Sequence, residues 1–152
     1  MKDTELHNLF KVAESREIKP EKIAEFLISN GCQIYVHFIK QMSGEMVFEG
    51  FKKVEEPTSY RIKSGKVYPL TPDSRIDLVS AFSEKKDNAE LNVRINWEES
   101  ENENHGYFIV KVKVNLMDNL VIDYEDLRFL PPLPNIGRGL SGSDMASPAK
   151  FF

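Results

Sequence analysis

The segment 18–38, IKPEKIAEFLISNGCQIYVHF, constrains the fold more than any other. Its apolar period is near 3.6, stops at a glycine, and becomes a period of two. Ile23, Phe26 and Leu27 form one face of a helix, with Glu21, Lys22 and Glu25 on the other. Pro20 suits the first turn, where its missing N–H has no intrahelical partner. Asn30 and Gly31 end the helix, because Gly takes the left-handed C′ position without a Cβ clash. From Gln33 onward, Ile34, Val36 and Phe38 alternate with Tyr35, His37 and Ile39. That pattern predicts a strand with both faces largely apolar.

The rest of the chain extends this plan. Leu6, Leu9, Phe10 and Ala13 predict an amphipathic helix over 3–15, with Asp3 and Glu5 at its positive end. Ser43 and Gly44 read as a turn before a strand at 46–48, and 54–57 as a loop. Segments 59–63 and 66–70 flank Ser64 and Gly65, which predicts a hairpin with a two-residue turn. Segment 75–82 fits a strand or a helix. Leu91, Val93, Ile95 and Trp97 alternate, as do Phe108, Val110, Val112, Val114 and Leu116. The two runs read as antiparallel strands joined by the acidic loop 98–106. Asp118 and Asn119 suggest a turn. Asp123 and Asp126 sit where a capping box would open a short helix over 123–130, and Pro131 and Pro132 would stop it. The expected architecture is α+β over residues 1–130. Two N-terminal helices pack on a mainly antiparallel sheet, a short C-terminal helix follows, and 131–152 form a flexible Pro/Gly/Ser-rich tail.

Composition narrows the function classes. The net charge of −4 is uneven: 1–66 carry 11 basic and 10 acidic side chains, 67–152 carry 9 and 14. Such a field does not favour nucleic acid as a general partner. No apolar run approaches the roughly 18 residues of a membrane span. The N-terminus lacks a signal-peptide pattern. A cytoplasmic protein without a membrane association is expected. One cysteine, Cys32, allows no internal disulfide and no multi-cysteine metal site.

The phrase at 18–38 resembles the opening of small bacterial proteins associated with prophages and other mobile elements. There, an I-T-P-E-E helix runs through a glycine into a strand bearing Tyr-Val. Ile122, Asp126, Leu127, Arg128 and Phe129 are similar to the closing D-L-R phrase of the same proteins. The likeness covers about 30 residues and departs at Ser29, Asn30 and the tail. It implies a mobile-element accessory protein and brings no catalytic motif with it.

Motifs for chemistry are sparse. Gly137, Gly139 and Gly142 spell G-x-G-x-x-G, but prolines precede them where a strand is needed. Cys32 follows the negative end of a helix, which raises a thiol pKa, so it reads as core. His7, His37 and His105 lack metal-site spacing. Neither a catalytic set nor a cofactor is expected. Two surfaces stand out. The predicted hairpin would gather Arg61, Lys63, Lys66 and Tyr68 on one face, suited to phosphates or an acidic partner; the plainer alternative is a solvated edge guarded by lysines. Phe151 and Phe152 could anchor a docking segment, against the plainer reading of an ordinary polar end. The expected function is a non-enzymatic accessory protein acting through a protein partner. The alternative is a nucleic-acid-binding regulator using the basic hairpin.

Overall fold

The computed structural model describes residues 5–96 and 106–129. Its first departure from the sequence pattern comes at once. Leu6–Asn8 is a short strand, β1, and the helix that follows, α1, covers only Leu9–Arg16. Leu6, His7 and Asn8 pair with Asp123, Ile122 and Val121, so Leu6 is committed to a sheet and not to the helical stripe. Asn8 then caps α1, its Oδ1 accepting from the Lys11 N–H at 3.0 Å. Glu17, in the left-handed region at φ 56°, ends the helix.

Helix α2, Pro20–Ser29, and strand β2, Ile34–His37, follow the predicted plan. Gly31 has φ +72°, and the Cys32 N–H returns to the Leu27 carbonyl at 2.9 Å, closing the helix end. Ile23, Ala24, Leu27, Ile34 and Val36 are fully buried.

Beyond β2 the chain corrects two expectations. Strand β3, Met42–Glu49, runs straight through Ser43 and Gly44, where a turn was expected. The turn comes at Gly50 and Phe51, and β4, Lys52–Ile62, runs through the expected loop at 54–57. Gly44 is small because it lies against a neighbour: a Cβ there would stand 2.7 Å from the Lys111 carbonyl oxygen. Pro57 is tolerated because β4 is an edge strand, and because its register is broken there, with 54–57 opposite Val47 alone.

The predicted hairpin does not form. Strand β5, Val67–Pro69, pairs with β2 and not with β4, so Ser64 and Gly65 carry the chain from one sheet to the other. Phe38 holds this crossover by backbone bonds: its N–H donates to Lys66 O at 2.8 Å and its carbonyl accepts from Gly65 N at 2.6 Å. Residues 75–82 belong to helix α3, Pro72–Ser83, with Pro72 in the first turn and Thr71 accepting from Ser74 N at 3.3 Å.

Strands β6, Asn88–Asn96, and β7, Tyr107–Asn115, pair antiparallel without interruption from Asn88 opposite Asn115 to Asn96 opposite Tyr107. Leu91, Val93, Ile95, Phe108, Val110, Val112 and Val114 are buried, as their alternation predicts. Trp97 and most of the acidic loop lie outside the described residues. In place of the turn at Asp118 and Asn119 there is a one-turn helix, α4, Leu116–Asn119. Strand β8, Leu120–Asp123, had no signal in the pattern, yet it sits inside the first sheet, between β1 and β2. A 3-10 helix, Tyr124–Phe129, closes the described chain. Asp123 caps it, accepting from the Glu125 N–H at 2.8 Å. The segment 131–152 lies outside the described residues.

The fold is α+β, with sheet orders β1-β8-β2-β5 and β4-β3-β7-β6. The sheets meet where Leu70 bridges to Val93. One core draws on both sheets and on α1, α2 and α3, with Phe38 and Phe108 its largest fully buried side chains. No helix among the described residues is long and apolar enough to cross a membrane.

Candidate functional site

Two buried or half-buried amides tie distant elements together beside an open groove. Asn8 caps α1 and its Nδ2 donates to the Met117 carbonyl at 2.9 Å, fixing the start of α1 to α4. Asn119 accepts from the Asn115 N–H at 2.8 Å and donates to the His37 carbonyl at 3.1 Å, fixing α4 to the end of β2. Each side chain satisfies backbone groups that would otherwise lack partners where elements begin and end.

The groove beside these ties measures about 750 Å³. Leu6, Phe10, Ile18, Ile39, Met117 and Val121 supply most of its apolar lining, and Asn8, Lys11, Glu14, His37 and Asp118 its polar groups. Ile39 is 57% exposed and Met117 59% exposed, whereas their neighbours Phe38 and Leu116 are buried. An apolar concavity of this size with few polar groups suits binding by shape and burial. Methionine lets such a surface adapt to differing side chains.

A separate cluster lies at the opposite end of β2. Cys32 is buried, and burial raises its thiol pKa, with Asp126 raising it further. The direction agrees with the sequence reading, and its largest causes are burial and then the Asp126 carboxylate. Burial and then Asp123 raise the Asp126 carboxyl, and burial, Asp123 and Asp126 raise the Tyr35 phenol. Arg75 Nη1 donates to the Cys32 carbonyl at 3.1 Å. All three groups shift towards their protonated forms. Among the described residues, no group of three or more His, Cys, Asp or Glu side chains has the arrangement of a metal site.

The basic set predicted from the hairpin is dispersed. Arg61 is exposed on β4 and Lys63 is exposed on the crossover. Lys66 is half-buried beside Phe38, while Tyr68 is 6% exposed and packs its ring 6.1 Å from that of Phe38. The four side chains do not share a face, because β4 and β5 belong to different sheets. Phe151 and Phe152 lie outside the described residues. The groove residues Ile39 and Met117 escaped the sequence reading. Their signal was two adjacent bulky apolar residues at the end of an element, where only one of the pair can turn inward.

No family model matches the chain, and neither a curated protein nor a solved structure matches it significantly.

Proposed function

We propose that this protein is a non-enzymatic binding protein, an accessory of a bacterial mobile element, that takes an apolar segment of a protein partner into the groove between α1, α4 and the end of β2. The observation that carries the reading is the exposure of Ile39 and Met117 on an apolar groove of about 750 Å³. The carboxylates of Glu14 and Asp118 outnumber the single Lys11 ammonium among the polar groups of the groove. The segment it fits therefore carries apolar side chains and a basic residue. The mobile-element origin rests on the resemblance of 18–38 and of the D-L-R ending.

Selection of peptides from a random display library on the full chain tests this reading. The expected consensus pairs bulky apolar residues with Lys or Arg. Ile39→Asp and Met117→Asp should each abolish binding of the consensus peptide, measured by fluorescence anisotropy, with little change in Tm because both side chains are exposed. Equal binding of that peptide to the wild type and to both variants would refute the groove as the site.

A further inference from the structure

The second sheet has an outer face whose charge is opposite in sign to that of the whole chain. On β6 and β7 alternation turns the core residues inward, which leaves Glu90, Asn92, Arg94, Tyr107, Lys111 and Lys113 on the outer side together with Ile109, which its neighbours cover to 7% exposure. On β3, Glu45 stands opposite Lys111, and Met46 faces the core opposite Val110. Strict alternation would turn Phe48 inward as well. The register shift between Met46 and Phe48 prevents this and sets Phe48 opposite the outer-face Ile109. A row then crosses all four strands: Lys53, Phe48, Ile109 and Arg94. With strands about 4.8 Å apart, its ends are roughly 14 Å apart.

The sign of the face follows from this inventory. Lys53, Arg61, Arg94, Lys111 and Lys113 stand against Glu45, Glu55 and Glu90, so the described face keeps a net positive charge on a chain whose net charge is −4. Glu45 and Glu90 lie directly opposite Lys111 and Lys113. Among the described residues, the cations with no carboxylate opposite them in register are Lys53, Arg61 and Arg94. Two of these flank the aromatic end of the face. The Arg94 guanidinium lies 4.1 Å over the Tyr107 ring, and the Phe51 ring stands edge-on to Tyr107 at 6.1 Å. Phe51 itself is 95% exposed at the tip of the β3–β4 turn.

An exposed ring, Phe51, between cations on the outer face of an antiparallel sheet meets the two needs of a single-stranded nucleic acid: a stacking surface for an unpaired base and counter-charges for the backbone. A duplex offers no free base faces to such a surface. We propose that this face binds single-stranded nucleic acid, with a base stacked on Phe51 and with Lys53 and the free edge of the Arg94 guanidinium, whose face rests on Tyr107, against phosphates. The face is distinct from the groove and shares only Arg61 with the dispersed hairpin set.

Anisotropy titration of the full chain with a labelled oligo-uridine and its oligo-thymidine counterpart tests the proposal. Binding is expected at about 50 mM salt and should weaken towards 200 mM, with a log–log slope near −1.4 for two phosphate contacts. Phe51→Ala should weaken binding roughly tenfold or more through lost stacking, with an unchanged Tm because the ring is exposed. Lys53→Ala should flatten the salt slope by about 0.7. Lys63→Ala and Ile39→Asp, both off the face, should bind as the wild type does; a normal result with Ile39→Asp separates this site from the groove. Absence of binding at low salt, tighter binding to a duplex, or equal binding by Phe51→Ala would each overturn the proposal. So would equal affinity for polyglutamate, which would point to an acidic protein as the partner.

Discussion

Substituting Gly44 by Ala separates a continuous β3 from the turn that the sequence suggests. In the structure an added Cβ meets the Lys111 carbonyl oxygen and Val110 Cγ1, both at 2.7 Å. The carbonyl belongs to the β7 backbone and can retreat only by distorting the sheet. Overpacking of this kind costs about 1–3 kcal/mol. The substitution also removes glycine freedom from the unfolded chain, which returns about 0.5–1 kcal/mol. The net loss is about 1 kcal/mol, or roughly 3–4 °C in Tm for a domain of this size. Urea denaturation should give the same loss with an unchanged m-value. Val110→Ala removes one of the two close contacts, so Gly44→Ala should cost less in that background, a coupling of about 0.5 kcal/mol or more. Gly65→Ala is the control. That site has φ +88° and nothing within 4 Å of an added Cβ, so the cost is backbone strain alone and should add independently to Val110→Ala. A Gly44→Ala variant as stable as the wild type would refute the packing argument and restore the turn.

Three further outcomes follow from burial and charge. Tyr68→Ala should lose about 3–4 kcal/mol in chemical denaturation, as buried aromatics do, while Arg61→Ala and Lys63→Ala stay within about 0.5 kcal/mol; equal effects would mean that Tyr68 is a surface residue after all. Because the Asp126 carboxyl is raised in the folded state, the folded chain holds the extra proton. Asp126 therefore opposes folding above its folded pKa, and this penalty fades as pH falls from there to the unfolded value. Asp126→Asn should thus stabilise at pH 7 and lose that advantage in acid; a gain that is the same at every pH would contradict the linkage. The Cys32 thiol, raised by burial and by Asp126, should react slowly with a thiol reagent at pH 8 and faster in Asp126→Asn. Reaction of the wild type at the rate of a free cysteine would show that it is not buried.

Signals carried within a few residues were legible in the chain alone. The helix at Pro20–Ser29, its glycine stop, β2, and the β6–β7 pair each rest on an uninterrupted period and on cap chemistry that needs no distant partner. Asp123 was readable as a cap for the same reason. What lay beyond the sequence was decided by partners far along it. Leu6–Asn8 is a strand because Val121, Ile122 and Asp123 stand beside it, and those four-residue and three-residue runs are too short to show a period. Gly44 reads as a turn residue until the Lys111 carbonyl is brought against it. The hairpin at Ser64 and Gly65 satisfies every local rule, yet Val67–Pro69 gains more by pairing with the buried β2 than by folding back on the exposed edge β4. The sites follow the same division. Phe48 reaches the outer face only through the register shift beside it, and Ile39, Met117 and Asn8 meet only because α4 returns to the first turn of α1. Residue type and period set which side chains can be buried; the sheet pairing, a long-range choice between competing partners, sets which of them remain exposed together.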